Sequence, residues 1–276
     1  MSVLRILLWP FRRQAKLPPA VAASAPGTAD EPEGGPILIR YPGGDIVFAT
    51  PNYLTRWRAK TLFTKEPETI EWIAGFNPGE VLIDVGANVG LYTIWAAKTR
   101  AVKVFAFEPE SQNYAILYKN IVLNDLSEQV VAYCAALSDE SRFSLLHLSE
   151  FKTGGSIHTF GEDLDYKLEP RLSEIRQGCI STTLDYLVAA GIVPVPHHIK
   201  IDVDGLEHKV FAGCRTVLKN PVVKSMLVEV NTNLDQHRKL IMDLNDLGFT
   251  YSERQVAQAS CTEGKFTGVG NYVFRR

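Results

Sequence analysis

The sequence predicts an α/β fold, a mostly parallel seven-stranded sheet flanked by helices, and three observations carry that prediction. Apolar runs of strand length alternate with segments whose apolar residues recur at helical spacing, from Val81 to Leu247. The run VLIDVGANVG (Val81 to Gly90) reads as a buried strand, an acid and a glycine turn opening into a helix. Two late runs, Phe249 to Glu253 and Asn271 to Arg275, read as an antiparallel pair that closes one edge.

The elements follow in order. Residues 1–35 form a tail and a Pro-, Ala- and Gly-rich linker with the composition of a disordered segment. Residues 36–78 form a small N-terminal unit. Its hairpin runs from Ile37 to Thr50 and turns at Pro42, Gly43 and Gly44. Its helix, Pro67 to Gly75, places proline in the first turn and spaces Ile70, Ile73 and Ala74 on one face. Pro78 and Gly79 break the chain before the main domain, residues 79–276. There the pattern predicts strand 81–84, helix 89–98, strand 102–108, helix 111–124 and strand 130–135. A polar, irregular insertion follows from Ser138 to Gln177. Helix 182–190, strand 198–202, helix 207–219, strand 225–230 and helix 234–247 lead to the terminal pair. A closing hairpin on a parallel sheet is the signature arrangement of class I methyltransferases.

Length and composition set outer limits. The 276 residues suit one large domain with appendages, and 46% hydrophobic with 22% charged residues is ordinary for a soluble globular chain. With 29 basic against 31 acidic residues, the formal charge of −2 gives no electrostatic reason to expect nucleic acid. Cys134, Cys179, Cys214 and Cys261 lie far apart without a C-x-x-C pair, which fits a reducing, cytoplasmic location and indicates neither zinc nor disulfides. Val3 to Phe11 is apolar apart from Arg5, and Arg12, Arg13 and Lys16 follow. These nine residues are far short of the ~20 that span a bilayer. The basic cluster also follows the apolar run, the reverse of a secretory signal. Two readings stand, a frayed tail and a weak membrane-surface contact through residues 3–16 that would make the protein membrane-peripheral.

Asp84, Gly86, Asn88 and Gly90 fall at every second position, a spacing that packing does not require. Glycines let the backbone approach a ligand, and the following helix offers free N–H groups. Glu108 ends the next strand, 24 residues after Asp84 (108 − 84), where doubly wound folds hold ribose hydroxyls. The turn reads D-x-G-x-N-x-G and not G-x-G-x-x-G, and an acid at its head is an awkward lining for a pyrophosphate. It suits a ligand with positive charge and a ribose, such as S-adenosyl-L-methionine. The plainer alternative is that Asp84 caps the turn and Glu108 caps the next helix.

The segments VLIDVGANVGLYTIWAA, FAFEPESQNYAILYKNIVLN, AALSD, HIKIDVDGLEHKVFAG and MLVEVN, in this order, resemble the FkbM-type S-adenosylmethionine-dependent methyltransferases. KEPETIEWI before the core and GNYVF at the end extend the match over roughly residues 65–274. The first motif is shared by many methyltransferases; its combination with EP and IKIDVDG-x-E is more specific. The resemblance implies methylation of hydroxyl oxygens on glycans, sugars or natural products. It implies a methionine cradle at Asp84, Gly86, Asn88 and Gly90, ribose contacts from Glu108, and adenine contacts along Ala136, Leu137 and Ser138. One departure is Asp204, where the family usually carries glutamate.

IKIDVDG places Asp202 at the tip of the fourth strand, with Asp204 beyond it and Glu207 and His208 opening the next helix. Glu229 ends the following strand. Methyl transfer to an alcohol needs alignment and a base for the hydroxyl proton, whereas the thioether leaves neutral. Asp202 is expected beside the methyl group, with Asp204 or His208 as proton acceptor. Glu229, His158, His197 and His198 are further candidate bases, and the plainer reading of His158 and His197 is solvated loop histidine. Lys200 has a plain reading as an ion-pair partner, and Glu207 as a complement to the helix dipole. Asp202, Asp204 and Glu229 could hold magnesium, but the expected site contains no metal. FKTGGSIHTF (Phe151 to Phe160) reads equally as a lid or a surface loop, and Gly155, Ser156, His158 and Glu229 are the expected acceptor contacts.

The leading expectation is an oxygen-directed methyltransferase with a small-molecule or glycan acceptor. A nitrogen-directed enzyme usually carries N/D-P-P-Y/F after the fourth strand, and this chain has D-V-D-G. A dehydrogenase lacks its G-x-G-x-x-G, and a non-catalytic binding module does not account for acids at three strand tips.

Overall fold

Alternation within a single strand shows how the sheet is built. In Val81–Val85, Leu82 packs into one hydrophobic cluster with Trp72, Phe76 and Ile94, while Val81, Ile83 and Val85 pack into a second with Val210 and Phe211. Both faces of this strand are covered, so an unbroken apolar run is what the fold requires. The computed structural model describes residues 34–276; the expectations for the tail, including the membrane-surface contact through residues 3–16, lie outside the described residues.

The main sheet has seven strands: β3 (Val81–Val85), β4 (Lys103–Phe107), β5 (Val130–Tyr133), β10 (His198–Ile201), β11 (Ser225–Asn231), β12 (Thr250–Tyr251) and β13 (Val269–Arg275). Their order is β12-β13-β11-β10-β3-β4-β5. The five strands from β11 to β5 run parallel, and β13 lies antiparallel between β11 and β12. This is the seven-stranded sheet with a terminal antiparallel pair that the sequence predicts. The chain leaves β3 toward β4 and β5 and later returns to β10 on the other side of β3. That reversal opens a crevice at the carboxyl ends of β3 and β10.

The N-terminal unit packs onto this core. β1 (Ile37–Tyr41) and β2 (Gly44–Phe48) form the expected hairpin around Pro42 and Gly43. Asn120 and Asn124 of α4 (Ser111–Leu123 and its cap) hold it in place. Asn120 Oδ1 accepts from the Ala49 N–H at 2.7 Å while its Nδ2 donates to Val89 O at 2.8 Å. Asn124 exchanges two bonds with the backbone of Val47. Asn120→Ala strands a buried N–H and a buried carbonyl, each costing ~1–3 kcal/mol. Its expected loss of about 2–4 kcal/mol should appear as a lower urea midpoint with unchanged m.

Several elements differ from the sequence reading. A helix, α1 (Tyr53–Lys60), precedes α2 (Pro67–Ala74); its amphipathic signal is weak because it buries only Thr55 and Ala59. Its mark in the sequence is the capping box of Asn52 and Thr55. The insertion after Ser138 is not irregular. β6 (Ala136–Leu137), β7 (Arg142–Leu148), β8 (Thr159–Phe160) and β9 (Ile175–Thr182) form a second sheet in the order β6-β9-β7-β8. The helix expected from 207 to 219 ends at Ala212, and a 3₁₀ turn covers Val217–Lys219. At Gly213 the chain lies so close to the Ser138 carbonyl that a Cβ would overlap it. α8 (Glu253–Ala259) fills the stretch between the two expected late strands, overlapping the first only at Glu253. Among the described residues no helix is long and apolar enough to cross a membrane.

Candidate active site at the strand tips

The loop after β3 is shaped by contact with β10. Gly86 has φ +78°, and a Cβ on it would overlap the backbone oxygen of Asp202. Asn88 also takes a positive φ, 51°, and Gly90, at φ +86°, turns the chain into α3 (Leu91–Arg100). Asp84, on the Leu82 face, accepts from the Thr93 hydroxyl of α3. Its other oxygen, Oδ1, is buried without a partner. Burial raises the Asp84 pKa, with the Lys200 ammonium opposing.

Glu108 follows β4 and is buried. Its carboxylate accepts the Asn88 N–H at 2.7 Å and the Glu110 N–H at 2.9 Å, and burial pushes its pKa up to about 7. The cap of the next helix belongs to Glu110, which accepts from the Gln112 and Asn113 N–H groups. Asp84 and Glu108 are therefore not the caps of the plainer reading. Glu108 instead ties the tip of β4 to the loop after β3.

At the tip of β10, Lys200 is almost fully buried and donates to Asp202 at 2.7 Å. Its ammonium also lies 5.5 Å from the Tyr92 ring centroid. Burial alone would depress the Lys200 pKa; Asp202, Asp84 and Glu66 outweigh it and hold it above its usual value. The same pair keeps Asp202 below the ordinary carboxylate range against its own burial. Asp204, at φ +59°, accepts the Ile157 N–H at 2.6 Å. Burial, reinforced by Asp202, pushes its pKa up to about 6. Glu229, at the end of β11, is raised well above its usual value by burial and by Asp202.

Other acids and histidines near the tip have structural partners. Glu207 bends back to accept the Val203 and Gly205 N–H groups, so it holds the loop and is not merely a dipole complement. His237 bridges Asn231 N and Gly205 O, with its Nε2 3.3 Å from Glu207. His197 accepts the Val81 N–H, and His198 pairs with Glu80 and Ser225. The His208 ring lies 5.9 Å from that of His237, tilted by 49°, with its Nδ1 buried and unpaired. Burial lowers its pKa, and Lys209 adds to the fall. Among the described residues no three Asp, Glu, His or Cys side chains converge as metal ligands.

The front wall comes from residues that motif reading missed. Arg58 of α1, and Lys65 and Glu66 before α2, line a cavity of about 40 Å³ with Asp84, Gly86 to Val89, Tyr92, Lys200 and Asp202. Lys65 forms an ion pair with Glu66. No motif marks Arg58, and Lys65 and Glu66 open KEPETIEWI without a role of their own; the docking of α1 and α2 brings the three here.

A loop covers the rest. Gly155 O accepts from Asn88 Nδ2 at 2.7 Å and Asn113 Nδ2 at 3.1 Å, while Gly154 N donates to Asn113 Oδ1. Asn52 and Arg58 donate to the carbonyls of Thr153 and Gly154. The segment is thus fastened across the loop after β3 and is not a free surface loop. His158 turns inward, its Nδ1 accepting from Ser149 N, and burial lowers its pKa to about 4; the Ser156 carbonyl accepts from the Ser149 hydroxyl. Ala136, Leu137 and Ser138 are not at the tip of β5, which ends at Tyr133. The chain has crossed to the second sheet, where Leu137 packs with Leu184 and Phe211 and Ser138 lies against Gly213.

A family model described as the methyltransferase FkbM domain matches residues 84–251, more than half of the chain. The 31-O-demethyl-FK506 methyltransferase FkbM of Streptomyces tacrolimicus is 27% identical over 201 residues, covering 65% of this chain and 76% of its own. The hexuronic acid methyltransferase AglP of Haloferax volcanii is 24% identical over 200 residues, covering 72% and 76%. Among solved structures, M. jannaschii TYW2 in complex with AdoMet shows 14% identity and a TM-score of 0.43 over 89% of each chain.

Proposed function

We propose, for a chain that belongs to the FkbM methyltransferase family and is an S-adenosylmethionine-dependent methyltransferase, transfer of the methyl group to a hydroxyl oxygen of a sugar or small natural product. The names of the two relatives, one a 31-O-demethyl acceptor and one a hexuronic acid, support an oxygen acceptor of this class.

The residues fit the donor. Asp84 has an unpartnered buried oxygen, Gly86 leaves a cradle that a side chain would fill, and Glu108 is held by two N–H groups with lone pairs to spare for hydroxyls. Asp84, Gly86, Asn88 and Gly90 would hold the methionine end and Glu108 the ribose. The adenine side falls to Tyr133 and Cys134 at the tip of β5, in place of Ala136 to Ser138. Bound S-adenosyl-L-methionine supplies an electrophilic methyl group whose thioether departs without a proton.

The single observation that carries the reaction is the contrast between the two aspartates after β10. Lys200 keeps Asp202 anionic and a weak base, suited to fixing charge beside the methyl group. Asp204, with a pKa near 6, is ionised at neutral pH yet basic enough to take a hydroxyl proton. Glu229 and the Gly155 to His158 segment would border the acceptor. The test is formation of S-adenosylhomocysteine with a panel of hexoses, hexuronic acids and polyketide alcohols; activity confined to amines would sink the oxygen assignment.

Glu108→Gln tests the donor site separately. Its amide must turn an NH₂ toward either Asn88 N or Glu110 N, so one donor meets another. Calorimetry is expected to show affinity for S-adenosyl-L-methionine weakened about tenfold to a hundredfold, from loss of charge-assisted bonds worth ~1.5–3 kcal/mol. Unchanged affinity would remove Glu108 from the donor site.

A further inference from the structure

The front wall of the cavity holds a charge arrangement that the transfer chemistry does not use, on residues outside the 84–251 match. Lys200 is committed to Asp202, and Lys65 pairs with Glu66 while keeping 38% of its side chain exposed. Arg58 makes one hydrogen bond, from Nε to the Gly154 carbonyl at 2.7 Å. Among the described residues its two terminal nitrogens have no hydrogen-bond partner. Asp84, lining the same cavity, has Oδ1 buried and unpartnered. A spare guanidinium fork and a spare carboxylate oxygen therefore border one small space. Separated opposite charges of this kind match a zwitterion and not a simple anion or cation.

We propose that Arg58, supported by Lys65, is the binding site for the α-carboxylate of the donor's amino-acid end, whose α-ammonium is turned toward Asp84. The inference rests on the methyltransferase reading and adds a specific carboxylate subsite built by α1. A carboxylate on the acceptor would meet the same cations, so the test contains no acceptor.

Calorimetry on the full chain would compare S-adenosylhomocysteine with its decarboxylated form, which keeps the nucleoside, thioether and amine. The wild type should bind the decarboxylated form about tenfold to a hundredfold more weakly, the range of one charged hydrogen-bonded contact. Arg58→Gln should lose affinity for S-adenosylhomocysteine by a similar factor and hold the decarboxylated form within about twofold of wild type. Arg58→Lys, a milder change that keeps the charge, should fall between and carries the same comparison if R58Q does not fold. Unchanged affinity of the variant for S-adenosylhomocysteine overturns the proposal. So does equal weakening of both compounds, because Arg58 would then act only by bracing Gly154. If the wild type binds neither compound, the methyltransferase reading itself falls and takes this subsite with it.

Discussion

Asp204→Asn is expected to lower kcat by about a hundredfold to ten-thousandfold, the usual contribution of a positioned general base. The pH dependence should change with it. The Asp204 carboxyl titrates near 6, above the ordinary value, because burial and the neighbouring Asp202 charge both disfavour its ionised form. A proton acceptor works only when ionised, so wild-type kcat should rise about tenfold per pH unit below 6 and level off above it. In Asp204→Asn that limb should vanish. Measuring kcat at saturating donor separates this effect from titration of Glu108, whose value near 7 would show in donor affinity instead. Asparagine accepts the Ile157 N–H as aspartate does, so the covering segment should keep its anchor. A variant with near-normal kcat and an intact pH limb would exclude Asp204 as the base.

Gly86→Ala should act on fold and function together. The residue sits at φ +78°, where a Cβ is strained, and the methyl would overlap the Asp202 backbone oxygen. That oxygen belongs to the end of a core strand and cannot rotate away as a side chain would. Combining left-handed strain of ~1 kcal/mol with overpacking of ~1–3 kcal/mol gives an expected loss of about 2–4 kcal/mol. For a domain of this size that corresponds to a fall in Tm of about 4–16 °C. Relief of the overlap must part the loop from β10, so donor binding should drop beyond the stability loss. A protein that melts normally and binds the donor normally would show that contact with the Asp202 carbonyl does not hold the loop in place.

The strand tips were the readable part of this molecule. Asp84, Glu108 and Asp202 each lie at or beside the end of a strand buried on both faces, so position and chemistry coincide there. The second sheet was hidden for the opposite reason. In β7, Phe143 and Leu145 are exposed while Leu146 and Leu148 are buried, so no alternation of apolar and polar residues marks a face. Its partner β9 is mostly polar and pairs with β7 from across more than two dozen residues, a register no local pattern encodes. Arg58 escaped notice because α1 buries little, and its place in the site depends on how the N-terminal unit docks. His208 sits one residue beyond Glu207, yet its ring lies beside that of His237, a neighbour 29 residues on (237 − 208) that no local pattern supplies. Glu207 carried the same ambiguity, resolved only by the backbone N–H groups it turns out to serve.

The strap from Thr153 to Ile157 is anchored by side chains that border the proposed ligands: the Asn88 amide, Nε of Arg58 and the Asp204 carboxylate. Only about 40 Å³ is open in the cavity that Asn88 and Arg58 line, far below the ~300 Å³ at which small-molecule pockets begin. A donor-sized ligand needs that wall to move, and the strap is fastened to two of its side chains, Asn88 and Arg58. Opening the space draws on these bonds, so donor binding and strap mobility are expected to change together.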